Sequence, residues 1–317
     1  MITQAFVLGA GLGTRLRPLT DDLPKPLVPI FQKPLITFAL DHLIDVGVTK
    51  FFVNTHHLPE RFAEHFPERT YRGVPIDFCH EPILLETAGG IANIADSLGN
   101  EPFLVHNGDI LTDLPLRPLL EEHFRARNMV TLALRSGGGP QDIVLDSTSG
   151  CVADIRNQLG TGLPNEFVFT GVYVINPEFL RWLEKGVKRS VIPVFLELIR
   201  RGERLGGLVI DDAHWWDVGT RTAYLQLHRD LPSLDFPRYP VGDSAWKARV
   251  HETATIEDGA QLRGCSIAGK NARIGPDAIL EDTILWPGAQ IASRSHLCNC
   301  IVRSHQKAQG VLNDLDI

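Results

Sequence analysis

From Val250 onward, aliphatic residues return every six positions: Val250, Ile256 and Leu262, then Ile274 and Leu280, then Leu285, Ile291 and Leu297. Few folds accept this period. An α-helix repeats at about 3.6 residues and a strand at about 2. A chain that winds in triangles does repeat at six, with each side one hexad long and its aliphatic residue turned inward. This is the hexapeptide β-helix. Gly, Asp, Asn and Ala fall between the aliphatic positions (EDGAQ, AGKNAR, GPDA), as tight corners require. The shorter step from Leu280 to Leu285 reads as an altered turn. At about 18 residues per coil, residues 250–302 make roughly three coils. The coil domain is placed at residues 249–305. Residues 306–317 follow as a tail, either a cap or loose.

The first 232 residues carry a different pattern. Short apolar runs (Ala5–Leu8, Lys50–Thr55, Ile76–Cys79, Phe103–His106) alternate with helical spacings at Leu35–Val46, Pro59–Phe66 and Gly89–Leu98. Strands alternating with helices imply βαβ units and a mainly parallel sheet, with ligands at the rim where the strands end. Residues 233–248 begin in LPSLDFPRYP, rich in proline, and read as a linker.

Composition narrows the function classes. Lys and Arg total 31 against 38 Asp and Glu, a net charge of −7, which argues against a dedicated nucleic-acid binder. A nucleotide needs only a few local cations and is not excluded. No run approaches the roughly 20 apolar residues that span a bilayer, so no membrane partner is expected. MITQAFVLGAG shows no basic stretch ahead of an apolar run, and five scattered cysteines make no disulfide framework. A reducing, cytoplasmic setting is expected.

The most informative segment is GAGLGTRLRPLTDDLPKPLVPI, Gly9 to Ile30. It follows a strand, so its glycines let the backbone turn and approach a ligand. It is not the dinucleotide fingerprint, because Thr14 stands where the third glycine belongs. It is not a P-loop, because no Gly-Lys pair follows. What remains is a turn whose amides at Ala10–Gly13 form an anion nest. Arg15, Arg17 and Lys25 follow it, Lys25 stiffened between Pro24 and Pro26. A triphosphate calls for this combination of close backbone and several cations. Asp109 (HNGDIL) and Asp217 (HWWDVGT) are single carboxylates in glycine-containing loops. Either alone reads as a turn aspartate. Brought together, they suit one Mg²⁺ completed by phosphate oxygens and water.

GAGLGTRLRPLT with LPKPLVPI resembles the signature of the sugar-1-phosphate nucleotidyltransferases, the NDP-sugar pyrophosphorylases. The resemblance continues through ETAGGI, HNGDI and WWDVGT, over residues 1–230. It implies an α/β fold, a Rossmann-like nucleotidyltransferase domain with a mainly parallel sheet. A short left-handed parallel β-helix follows, as in mannose-1-phosphate guanylyltransferases. In the implied reaction a phosphate oxygen of a sugar 1-phosphate attacks the α-phosphorus of a nucleoside triphosphate, and pyrophosphate leaves in line.

The resemblance also assigns residues. Arg15, Lys25 and Asp109 are catalytic: Arg15 holds the β- and γ-phosphates and Lys25 offsets charge at the reacting phosphates. Asp109 and Asp217 hold Mg²⁺. Leu8, Gly9, Ala10, Gly11, Gly13, Thr14, Glu86, Gly89, Gly90, Asn107 and Gly108 surround the nucleotide, with Gly89 and Gly90 approaching the base and Glu86 bonding a base edge or a sugar hydroxyl. Arg156, Glu166, Thr170 and Gly171 face the sugar phosphate. Many relatives place Glu-Lys-Pro near residue 156. Here GCVADIRNQLG has no lysine, and Arg156 stands in that region. The β-helix tail leans toward GTP and mannose 1-phosphate. ETAGGI leans toward uridylyltransfer to N-acetylmuramate 1-phosphate; another uridylyl- or thymidylyltransfer, such as to glucose 1-phosphate, also stays open. A non-catalytic sensing subunit is the rival of another class, and the presence of Arg15, Lys25, Asp109 and Asp217 argues for an enzyme.

Other features have plainer readings. His56 and His57 are expected to be loop histidines without a catalytic role. His296, Cys298, Cys300 and His305 have spacing that permits Zn²⁺ in principle, but alternate residues on a strand point to opposite faces. His251 is not expected to support acyl transfer. Open coil ends favour a homo-oligomer through the β-helix.

Overall fold

The computed structural model describes residues 2–317. Its main sheet has ten strands, in the order Ile143–Asp146, Cys151–Ile155, Leu205–Val209, Val130–Arg135, Val168–Ile175, Phe103–Asn107, Gln4–Leu8, Lys50–Thr55, Val74–His80 and Thr70–Tyr71. Gln4–Leu8 pairs in parallel with Lys50–Thr55 and Phe103–Asn107, and Lys50–Thr55 pairs in parallel with Val74–His80. Leu8, Thr55, His80 and Asn107 therefore end on one rim. Val168–Ile175 runs antiparallel to both neighbours, and an antiparallel hairpin, 143–155, forms the far edge.

These strands are continuous apolar runs because both faces are covered. Alternate side chains enter opposite cores. Phe6, Phe52 and Val105 pack beneath the helices Glu86–Ile94 and Val191–Arg200. Val7, Phe51, Val53 and Leu104 pack beneath Leu35–Asp45 and Leu116–Ala126. The Rossmann-like, mainly parallel domain is present as expected.

The left-handed β-helix is present too. Thr255–Ile256, Arg273–Ile274, Gln290–Ile291 and Lys307–Ala308 stack in parallel on one face. Gln261–Arg263, Ile279–Glu281, His296–Cys298 and Val311–Asn313 stack on the second. Ile267–Ala268, Ile284–Leu285 and Ile301–Val302 stack on the third. Ile274, Leu280, Leu285, Ile291 and Leu297 are buried inside, as the six-residue period requires. Val250 and Ile256 are exposed because they lie on the first rung, with nothing stacked above them. Residues 306–317, expected as a tail, continue the coil instead: two further strands fall there, and Asp316 bridges back to Ile301.

A second correction concerns residues 233–248. They are not a free linker. Phe236, Tyr239 and Trp246 are buried, and Trp246 packs edge-on against Phe31 and Phe38. One apolar cluster joins Phe236 and Trp246 to Tyr224 and to Ile267, Ile284, Trp286 and Ile301 of the coil. Burying one large apolar side chain contributes about 1.5–3 kcal/mol, so several together make a fixed junction. Trp286 Nε1 donates to Tyr224 Oη (2.9 Å), which donates to the Pro29 carbonyl (2.7 Å). Arg221 Nε donates to Asp316 Oδ1 (2.7 Å) at the chain's last rung.

Candidate active site

The loop after Leu8 lies across the next strand. Gly9 N donates to Asn54 Oδ1 (2.7 Å), and a Cβ on Gly9 would stand 2.7 Å from the Asn54 carbonyl oxygen. Only glycine fits there. Asn54 Nδ2 donates to Glu81 Oε1 (2.8 Å), and Glu81 Oε2 accepts from Leu85 N (2.9 Å). Asn54 and Glu81 are buried, so this relay ties three strand ends together without solvent. The loop then returns through Gly13, at φ 62, whose carbonyl accepts from Thr20 Oγ1 (2.9 Å). A short turn, Lys25–Leu27, follows Pro24 and presents Lys25 inward.

Lys25 joins residues far apart in the chain. Its Nζ is 2.6 Å from Asp109 Oδ2 and 3.4 Å from Asp217 Oδ1. Arg15 Nη2 is 3.5 Å from Asp217 Oδ2. The Lys25 side chain is 7% exposed, Asp109 34%, Asp217 40% and Arg15 65%. The Lys25 pairs are thus partly desolvated and stronger than an open surface ion pair, whereas Arg15 is largely exposed to solvent. Asp217 stands apart in sequence from the strands of the main sheet. It ends its own short strand, Trp215–Asp217, which pairs antiparallel with Ile110–Thr112 and sets Asp217 opposite Ile110. His214 anchors this ribbon: its N and Nδ1 lie 2.7 and 3.0 Å from the buried Asp113 carboxylate.

Above the pair lies a cavity of about 380 Å³. Leu8, Ala10, Gly11, Lys25, Asn107 and Asp109 line one side; Leu84, Glu86, Thr87 and Ser190 line the other. Glu86 starts its helix at φ 61, and its Oε1 is 3.7 Å from Lys188 Nζ. Gly13, Thr14 and Arg15 continue the loop beside this cavity without lining it.

Several expected contacts have other duties. Gly89 and Gly90 lie inside the helix that begins at Glu86, not at its opening. A Cβ on Gly89 would meet the Val187 carbonyl oxygen at 2.5 Å, and one on Gly90 would meet Asn54 Nδ2 at 2.9 Å. The Ala88 and Gly89 amides both donate to the Arg189 carbonyl (2.9 and 3.2 Å). These glycines pack the helix against its surroundings and do not face the cavity. Gly108 donates to the Leu8 carbonyl (2.9 Å), where a side chain would collide.

The expected sugar residues are scattered. Thr170 is buried and spends its hydroxyl on the Ala133 carbonyl (2.8 Å). Gly171, at φ 81, packs against Asn107, which lines the cavity. Arg156 is exposed, and its Nε donates to Asp142 Oδ2 (2.8 Å). Glu166 is exposed on the adjoining segment, its backbone bonded to Ile143 and Gln141. Neither Arg156 nor Glu166 lines the cavity.

The histidines are structural where they are bonded. His56 Nδ1 is 2.7 Å from the Glu81 carbonyl and His57 Nε2 is 2.8 Å from the Thr20 carbonyl. His106 lies under the rim, its Nδ1 on the Asn107 carbonyl (2.8 Å), and burial lowers its pKa to about 4. Among the described residues no group of three or more His, Cys, Asp or Glu is placed to hold a metal, so His296, Cys298, Cys300 and His305 do not converge. No helix among them is long and apolar enough to cross a membrane.

Asn54 and Glu81 were not singled out from sequence. The available signal was a polar residue closing an apolar strand, KFFVN, and an acid just past the next one, FCHE.

Residues 4–233 match the family model described as "Nucleotidyl transferase". A mannose-1-phosphate guanylyltransferase of Mycobacterium tuberculosis is 31% identical over 297 residues, covering 91% of this chain and 81% of that protein. An N-acetylmuramate alpha-1-phosphate uridylyltransferase of Neisseria meningitidis is 35% identical over 228 residues, 68% of this chain and 93% of that protein. The crystal structure of a putative glucose-1-phosphate thymidylyltransferase from Bacillus anthracis superposes with a TM-score of 0.63 at 19% identity. That match covers 74% of this chain and 98% of that one, and it speaks for the fold alone.

Proposed function

The chain belongs to the nucleotidyl transferase family, and on that premise we propose that it transfers GMP from GTP to mannose 1-phosphate or a related sugar phosphate, releasing pyrophosphate. The observation that carries the reaction class is the Lys25 ammonium set between the Asp109 and Asp217 carboxylates, with Lys25 and Asp109 both lining the cavity.

Two phosphorylated substrates repel each other, so such transfers depend on positioning and charge neutralisation more than on covalent help. Arg15, exposed and free to fold over, takes the outer phosphates. Lys25, already aimed, lies against the reacting ones. The amides of Ala10 to Gly13 cradle the triphosphate from below. Asp109 and Asp217 offer hard oxygen donors already converging on one cation, which suits Mg²⁺ with phosphate oxygens completing its shell. Asp109 and Asp217 would hold the ion, which would supply charge neutralisation at the phosphates. The attacking oxygen is anionic near neutral pH, so no general base is required, in keeping with His106 held neutral by burial.

GTP and mannose 1-phosphate are favoured because the guanylyltransferase relative aligns along 91% of the chain, and so into the coil. Glu86, an acceptor in the cavity wall, suits the N1–H and N2–H donors of guanine. The second reading is UTP with N-acetylmuramate 1-phosphate, favoured by the higher identity of a relative aligned over 68% of the chain. The proposal includes a cytoplasmic setting and self-association through the coil; all five cysteines are free.

The test is pyrophosphate release with Mg²⁺, crossing GTP, UTP, dTTP, CTP and ATP with mannose, glucose, N-acetylglucosamine and N-acetylmuramate 1-phosphates. GTP with mannose 1-phosphate is expected to exceed every other pair. A preference for UTP with N-acetylmuramate 1-phosphate would hand both substrates to the second reading. Triphosphate binding without release from any pair would point to a sensing subunit.

A further inference from the structure

Across the cavity from the Lys25 clasp, Glu86 lies beside Lys188, Oε1 3.7 Å from Nζ. Two backbone features hold this pair in place. Glu86 sits at φ 61, in the left-handed region where only glycine pays no steric penalty. Backbone geometry alone would favour glycine there, so what glutamate adds is its carboxylate.

The segment carrying Lys188 is strapped to the first turn of the helix Glu86–Ile94. Arg189 N donates to the Leu85 carbonyl (3.0 Å), and the Arg189 carbonyl accepts from Ala88 N and Gly89 N (2.9 and 3.2 Å). Val191 N donates to Thr87 Oγ1 (2.7 Å). Gly89 has no Cβ to push the Val187 carbonyl away. Lys188, between Val187 and Arg189, is therefore presented by fixed backbone. Its side chain is 58% exposed and that of Glu86 42%, so both heads stay open to a ligand. An ion pair this exposed adds little to stability.

We propose that Glu86 and Lys188 together read the Watson–Crick edge of guanine, which makes Lys188 a specificity-determining residue. The inference rests on the proposed transfer from GTP. The Glu86 carboxylate accepts from N1–H and N2–H, and the Lys188 ammonium donates to O6. Guanine alone among the common bases sets two adjacent N–H donors beside a carbonyl. Uracil and thymine have one N–H between two carbonyls. Adenine has a ring-nitrogen acceptor where guanine has N1–H, and it turns that lone pair toward the carboxylate. A carboxylate facing an acceptor in a partly desolvated wall is left unsatisfied, which is how such a site rejects the wrong base.

The test is equilibrium dialysis of GTP, inosine triphosphate (ITP), ATP and UTP with Mg²⁺ and no sugar phosphate, so nothing turns over. ITP keeps N1–H and O6 and lacks the N2 amino group. The wild type should bind GTP at least roughly tenfold tighter than ATP, with ITP between. Lys188→Met should weaken GTP and ITP roughly tenfold and leave ATP unchanged. Glu86→Gly should close the gap between GTP and ITP while the Tm is kept, because glycine suits φ 61. Lys185→Met, on the same segment and paired with Asp96, should change nothing. Equal loss of GTP, ITP and ATP in Lys188→Met would make Lys188 a phosphate ligand. An unchanged GTP-to-ATP ratio would remove it from base reading. Either result overturns this inference while the GTP reading stands. A wild-type preference for UTP is seen before any variant is compared; it would overturn the GTP reading itself, and this inference with it.

Discussion

The two sides of the active region are built differently. On the side expected to hold the nucleotide, parallel strand ends, a buried Asn54–Glu81 relay and the Lys25 clasp converge on one cavity. On the side expected to hold the sugar, Arg156, just past the edge hairpin, and Glu166, on the adjoining segment, are exposed and bond to their own neighbours. The first is preorganised by burial, which holds polar groups where solvent cannot compete. The second is left to solvent, where an ion pair such as Arg156–Asp142 contributes about 1 kcal/mol or less. The lesson is that a motif residue earns a role only when the fold delivers it to the site.

The largest expected effect is on the preorganised side. Lys25→Ala should cut pyrophosphate release by about 100- to 1000-fold, the range seen when one aimed electrostatic donor is removed. Circular dichroism should show an unchanged fold. Near-normal turnover would remove Lys25 from the reaction. Next comes the relay. Glu81→Ala leaves Asn54 Nδ2 and Leu85 N buried without their acceptor. Denaturant unfolding should then show a loss of about 2–4 kcal/mol. A loss well under about 1 kcal/mol would mean that water replaces the carboxylate.

Acid should act mainly through the buried interior. Burial lowers the pKa of His42 to about 3 and those of His106, His123 and His228 to about 4. Unfolding releases them to about 6.5, so between about pH 6.5 and 4 the unfolded chain binds more protons. Their stabilising contribution is complete above that window and is lost as pH falls through it. Each depressed histidine adds a slope of up to about 1.4 kcal/mol per pH unit. Thermal unfolding followed from pH 7 to about 5 should show a falling Tm. A flat profile would show that these imidazoles are not held neutral.

The smallest effect belongs to the hairpin. Arg156→Ala should change stability by about 1 kcal/mol or less and leave the KM for the sugar phosphate nearly unchanged. A tenfold rise in that KM with kcat preserved would sharpen the comparison the other way, showing that the hairpin swings onto bound substrate.

Much of this protein was legible in local pattern. The strand at 5–8 and the glycine turn after it, the six-residue period, and the separate candidacies of Lys25, Asp109 and Asp217 all follow from spacing and chemistry near each residue. Those properties are local because backbone geometry and hexad packing repeat over a few residues. Other features were not. Gly89 and Gly90 looked like ligand contacts, yet what they accommodate is the Val187 carbonyl and the Asn54 amide. The proline-rich stretch at 233–248 reads as a linker, yet Trp246 fills a core. Residues 307–313 looked like a tail because Ala308 and Leu312 are a sparse aliphatic signal, yet backbone pairing to the preceding rung holds them in the coil.

The sequence by itself determined the two fold classes, the family and the charged groups available to bind phosphate. Only the tertiary structure decided which of those groups meet. Asp109 and Asp217 are 108 positions apart, and a three-residue ribbon in one register sets them on the same ammonium. That register depends on long-range strand pairing and the packing behind it, which no local pattern encodes.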